Sequence, residues 1–128
     1  MKPQSAKQKG RKLQQWVRDK LIEPEIVYGY FKCHNKDRKL LVENPNGDDV
    51  ELEFPRSTKS DHLCLTDYFG DDDIVAFQSV TVGTKVSDVL ETWNDEDKYT
   101  DAYYLHGLAV ETAEAMAEWI NHKIKTEF

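Results

Sequence analysis

Glu111, Glu114 and Glu118 recur at three- and four-residue spacing, so on a helix they share one face. Glu114, set between Ala113 and Ala115, is expected to lie nearer the apolar stripe of that helix than its neighbours. Such a face is either solvated or holds a carboxylate that accepts hydrogen bonds from a cationic or hydroxylated ligand. His34, His62, His106 and His122 are widely separated, so any metal site or Cys/His nucleophile pair depends on tertiary folding, and structural or surface roles are the simpler expectation. Asp71, Asp72 and Asp73 lack the alternating ligands and closing Glu of an EF-hand and are expected to form a solvated turn. Cys33 and Cys64 have no zinc-ligand spacing around them and are expected to be reduced core thiols. None of the six glycines forms a phosphate-cradling GxGxxG or GxxxxGK[ST].

The elements that must position these residues follow from periodicity. Ser5 is a candidate cap for a helix carrying Leu13, Trp16, Val17 and Leu21 on one stripe and stopping at Pro24. Residues 25 to 34, EIVYGYFKCH, are apolar on nearly every position, which predicts a central strand buried on both faces. A turn at 35–38, a strand at 39–43 and the Asn44-Pro45-Asn46-Gly47-Asp48 loop imply hairpins. Val50, Leu52 and Phe54 alternate with Glu51 and Glu53 in a third strand with one face on the core. A short helix or turn between Asp61 and Phe69 precedes a strand at 74–83.

A helix beginning at Thr84 or Ser87 carries Val86, Val89, Leu90 and Trp93 and ends at Asn94–Asp97. The last helix starts near Thr100, with Tyr104, Leu105, Leu108, Ala115, Met116, Trp119, Ile120 and Ile124 on an apolar stripe that should pack on the sheet. The resulting order predicts an α+β fold: a mainly antiparallel, twisted sheet of about four strands covered by helices, with a long C-terminal helix.

Composition bounds the function. A chain of 128 residues is long enough for one core, so residues 1–128 are expected to form a single domain. The formal charge of −7, from 17 basic and 24 acidic residues, argues against nucleic-acid binding, which needs a basic face. Lys2, Lys7, Lys9, Arg11 and Lys12 make residues 1–12 a basic helix start or tail, most simply solvated. No apolar run approaches the roughly 18 residues of a membrane span, and no leader-like apolar stretch opens the chain. A cytoplasmic location without membrane contact is expected.

Three stretches together carry a resemblance: VYGYFKC at 27–33; FPR at 54–56 with CLTDYF at 64–69 and DIVAFQSVTVG at 73–83; and YLHGLAVETAEAMAEWINHKIKTEF at 104–128. In this order the chain resembles the activation domain of cobalamin-dependent methionine synthase. The resemblance implies a domain that binds S-adenosylmethionine and presents it to cobalamin on a partner domain. When cob(I)alamin is oxidised to cob(II)alamin, an electron from flavodoxin or an equivalent reductase and a methyl group from S-adenosylmethionine restore methylcobalamin. The task is placement of an electrophilic methyl rather than acid/base catalysis, so the chain would be an accessory domain of a methyltransferase.

The resemblance assigns one ligand contact, Glu114, at the first Glu of A-E-A-M. Three departures accompany it. An acidic position of the family falls here on Arg38 or Lys39, the Pro after the strand aromatic is replaced by Lys32, and the family's Arg-x-x-x-Gly-Tyr-Pro-x-Cys-Pro segment would follow Phe128. A compact relative and an excised fragment both fit that last departure. The alternative function is a ligand-free interaction or docking module that keeps the fold, as a dimer through the C-terminal helix near Tyr103, Tyr104, Met116 and Trp119, or against a cobalamin-bearing partner.

Overall fold

The computed structural model describes residues 5–127; Lys2 of the basic run and Phe128 lie outside them. Ser5 starts the first helix, α1 (Ala6–Arg18), through a capping box in which its hydroxyl accepts the Gln8 N–H and the Gln8 side chain accepts the Ser5 N–H. The helix stops earlier than its apolar pattern suggests. Lys20 adopts the left-handed conformation (φ 54°), the Lys20 N–H reaches Val17 O at 3.1 Å, and the Leu21 N–H reaches Trp16 O at 3.0 Å. This 6→1 and 5→2 closure reverses the chain, so Leu21 joins the core from the loop while Val17 is left 59% exposed.

The strands are β1 (Glu25–Lys36), β2 (Lys39–Val42), β3 (Val50–Glu53) and β4 (Asp73–Thr81), in the sheet order β3-β2-β1-β4. β1 and β2 are antiparallel, with Cys33 opposite Val42 and Lys36 opposite Lys39, and β2 pairs antiparallel with β3, with Leu40 opposite Leu52. Asp37 turns the first hairpin at φ 58°, a conformation that Asp tolerates better than most side chains. β4 also runs antiparallel to β1: the Glu23 N–H meets Val82 O beyond one end, and the Asn35 N–H meets Gly70 O at the other. A 3-10 turn, Leu65–Tyr68, precedes β4, and the helices α2 (Lys85–Asp95) and α3 (Tyr99–Glu127) follow it. The chain is α+β, as expected, with an antiparallel four-stranded sheet and a long C-terminal helix.

The core falls into two compact units. Residues up to Val27 together with those from Gln78 onward enclose Trp16, Leu21, Ile22, Val86, Leu105 and Ala109, with the Trp16 and Trp93 rings 5.3 Å apart. Here α1 is tied to α3 by Lys12 Nζ on Asp101 Oδ1 (2.8 Å) and by Lys9 above the Tyr104 ring (5.1 Å). Tyr28–Phe77 enclose Cys33, Leu40, Val42 and Val75. β1 and β4 supply residues to both units.

β1 is central in the sheet, as expected, but it is not buried on both faces. Val27 is 73% exposed, and Cys33 is the strand's one fully buried side chain. Within Tyr28–Phe77 the elements are strands and one 3-10 turn, so the alternate face, where Tyr28 and Tyr30 meet edge to face at 6.0 Å, has no helix of its own unit to cover it. β3 is likewise more open than its alternation predicts. It lies at the sheet edge, where Leu52 packs on the cluster and Val50 stays half exposed.

Candidate functional site

The long periodic run from Tyr99 folds as one helix, and α3 buries Ala102, Leu105, Ala109 and Ile120 along a single side. The three carboxylates of the acidic face, Glu111, Glu114 and Glu118, are all exposed. A shallow groove, largely open to solvent, runs along the surface of α3 beside them, lined by Glu111, Thr112, Ala115, Met116 and Trp119. Its lining is mainly apolar with one carboxylate, a composition suited to an organic cation. Thr112 Oγ1 donates to Leu108 O at 2.7 Å, which holds that side chain against the helix, and Lys123 Nζ lies 5.7 Å from the centre of the Trp119 ring at one end.

Glu111 therefore occupies the groove. Glu114 is exposed like Glu111 and Glu118, is not among the lining residues, and has no hydrogen bond or ion pair among the described residues. One turn of helix separates neither glutamate far from the other, since both belong to the same exposed face.

The other candidate residues are dispersed. His34 is half-buried and His62, His106 and His122 are exposed, and no cluster of three or more His, Cys, Asp or Glu side chains among the described residues could hold a metal ion. Asp73 closes its loop by accepting the N–H groups of Gly70 (3.0 Å) and Ile74 (2.8 Å), and these bonds hold its carboxyl below the usual carboxylate range. Cys33 and Cys64 are free buried thiols, and burial, then the nearby Asp73 charge, push the Cys33 thiol up. Arg38 and Lys39 are engaged by β3: Arg38 meets Glu53 at 3.7 Å, and Lys39 pairs with Glu51. Lys39 is raised and Glu51 lowered by the hydrogen bond between them.

A further arrangement, built by FPR and CLTDYF, is not foreseeable from either stretch alone. Arg56 grips Asp67 in a two-point contact (2.9 and 3.1 Å) and also donates to His62 O at 3.2 Å. Asp67 accepts the Cys64 N–H at 3.0 Å as well, so its carboxyl is held below its ordinary value, by Arg56 first and by that N–H second. Thr66, fully buried, donates to Asp37 O at 2.8 Å, and Asn35 Nδ2 donates to Thr66 O (2.8 Å) and Phe69 O (3.3 Å). These bonds lock the 3-10 turn to the first hairpin. The signal available in the sequence was the Cys64–Asp67 spacing of a cap, with nothing to pair Asp67 with Arg56.

The model of the family described as "Vitamin B12 dependent methionine synthase, activation domain" matches residues 4–128. The chain belongs to this family. The methionine synthase of Mycobacterium leprae (strain TN) is 29% identical over 115 residues, which cover 80% of this chain and 10% of that protein. The methionine synthase of Mycobacterium tuberculosis (strain ATCC 25618 / H37Rv) is 28% identical over 120 residues, covering 84% of this chain and 10% of its own. The chain thus spans about one tenth of the length of these relatives. Among solved structures, the crystal structure of the MetH reactivation domain bound to AdoHcy matches with a TM-score of 0.78 at 18% identity, over 93% of this chain and 40% of that one. The activation-domain fold is therefore present across nearly the whole sequence, and α3, with its acidic face and groove, is one of the three stretches on which the resemblance rests. Among the described residues no helix is long and apolar enough to cross a membrane.

Proposed function

We infer that this chain is an activation module that holds S-adenosylmethionine for the reductive methylation of cob(II)alamin carried by a partner domain. The observation that carries this reading is the family match over residues 4–128, which includes the helix bearing Glu111 and Glu114. The partner's cobalamin would supply the chemistry, accepting one electron from flavodoxin or an equivalent reductase and the methyl group of S-adenosylmethionine, with S-adenosylhomocysteine as the leaving product. This chain's residues bind and orient: the positive sulfonium and ammonium groups favour the carboxylates of Glu111 and Glu114, and Trp119 and Met116 offer apolar surface to the rest of the ligand. The residues present fit a cationic ligand, and no side chain is asked to transfer a proton. The reading places the protein in the cytoplasm.

Calorimetric titration of S-adenosylmethionine into the purified chain tests the proposal. Weak binding, with a dissociation constant on the order of 0.1–1 mM, is expected because both carboxylates are solvated and screened. Glu114→Ala should weaken it several-fold. No heat at millimolar ligand, or an unchanged isotherm in Glu114→Ala, removes the role assigned to Glu114.

A second reading is favoured by the exposure of Trp119 (59%) and Tyr103 (73%) on α3: self-association, as a two-fold dimer through this helix, or docking against a cobalamin-bearing domain. Light scattering after size exclusion distinguishes dimer from monomer. A monomer that also fails to retain the cobalamin-bearing region of methionine synthase argues against it.

A further inference from the structure

The unit formed by Tyr28–Phe77 has an opening that neither α3 nor the proposed function uses. Strand pairing puts Cys33, Val42 and Val50 across from one another on one face of the sheet, with Phe31 two residues before Cys33 on the same face. At one end the packed cluster gives way to a groove of about 380 Å³ floored by Phe31, Val42, Val50, Leu52 and Phe77. The Phe31 and Phe77 rings lie 5.8 Å apart at 58°, and Phe77 and Val50 are 41% and 46% exposed, so the floor is open to solvent. The groove lies in the volume range of small-molecule sites and shares their apolar, aromatic lining.

Its polar rim has a sign. Glu43 and Asn44 border the apolar section, and Asp49 and Lys32 border an adjoining section that shares Phe31, Glu43 and Asn44. The Glu43 carboxylate has no hydrogen bond or ion pair among the described residues. Asp49 is held in place by accepting the Asn44 N–H at 3.0 Å. The rim nearest the rings therefore offers a carboxylate, and the single ammonium lies in the outer section. We propose that this groove binds a flat aromatic ring carrying a cationic amine, with the ring on Phe31 and Phe77 and the amine at Glu43. The ring buries apolar area and gains offset or edge contacts with both phenylalanines, and the amine finds the rim carboxylate that has no partner among the described residues.

The inference is independent of S-adenosylmethionine binding and of the oligomeric state. Tryptamine is the probe, titrated into the intact chain and followed by backbone amide shifts in nitrogen-15-labelled protein. Saturable shifts at Phe31, Asn44, Val50 and Phe77 are expected, with a dissociation constant on the order of millimolar for a ligand of this size. Indole-3-acetate, with the same ring and the opposite charge, should bind at least several-fold more weakly. Glu43→Gln should reduce the discrimination between the two probes, and Phe77→Ala should abolish the shifts of both; each changes an exposed side chain, and unchanged amide shifts away from the groove report an intact fold. The proposal is overturned if 10 mM tryptamine leaves the groove resonances unmoved, if indole-3-acetate binds as well or better through Lys32, or if Glu43→Gln leaves the preference unchanged.

Discussion

At the scale of single residues, the Arg56–Asp67 contact ties two sequence motifs into one loop, and it has a pH signature. Asp67 has a lower pKa in the folded chain than an unperturbed carboxyl, so the unfolded chain binds the proton more readily. Its contribution is therefore fully present above the unfolded value, about 3.9, and is lost as pH falls through the lower folded value. Asp67→Asn should lower the urea midpoint at pH 7, and the gap from the parent should close as the pH is brought down through the lowered folded value. A gap of constant size across that range would mean that the charge of Asp67 contributes nothing. Both side chains are partly exposed, so the loss should be smaller than that from truncating a fully buried residue such as Leu40.

At the scale of elements, helix ends decide where the apolar stripes point. α1 terminates because Lys20 accepts a left-handed backbone, and that reversal is what turns Leu21 into the cluster beside Trp16. Lys20→Gly should relieve the strain and stabilise the chain by somewhat under 1 kcal/mol, the relief being partly offset by the freer unfolded glycine. Lys20→Val should destabilise it, since a β-branched residue disfavours this conformation more strongly. Thermal melts of the two variants check the sign; equal melting points would show that the closure after α1 carries no strain.

At the scale of the whole molecule, α3 is buried along one side and exposes Trp119 and Tyr103 on others, which excludes Trp119 from the core of the folded chain. Trp119→Lys should therefore leave the circular dichroism spectrum and the melting point nearly unchanged. If α3 is the self-association surface, the same substitution should halve the mass in solution at a concentration where the parent is dimeric. A folded variant with the parent's dimeric mass would place the contact elsewhere. Because β1 and β4 supply residues to both units, we also propose that the units unfold together as one domain, in a single transition seen alike by Trp16 and Trp93 fluorescence and by far-ultraviolet dichroism.

Local chemistry, legible in the residue order, determined the element list. Ser5 with Gln8 caps α1, alternation marks β3, and the three- and four-residue spacing of Tyr104, Leu105 and Leu108 marks α3, because each of these signals acts within a few residues along the chain. The family resemblance was legible for the same reason: its three stretches keep their order and residue types. Burial was not legible, because it depends on what lies across space. EIVYGYFKCH carries apolar residues on both faces, and only the tertiary structure decided that Phe31 and Cys33 face a cluster while Tyr28 and Val27 do not. The spacing of Glu111, Glu114 and Glu118 put all three on one face, and the i, i+4, i+8 spacing of Glu111, Ala115 and Trp119 sets Glu111, rather than Glu114, beside Trp119. Arg56 and Asp67 meet because the intervening loop closes, and nothing local to either residue encodes that closure.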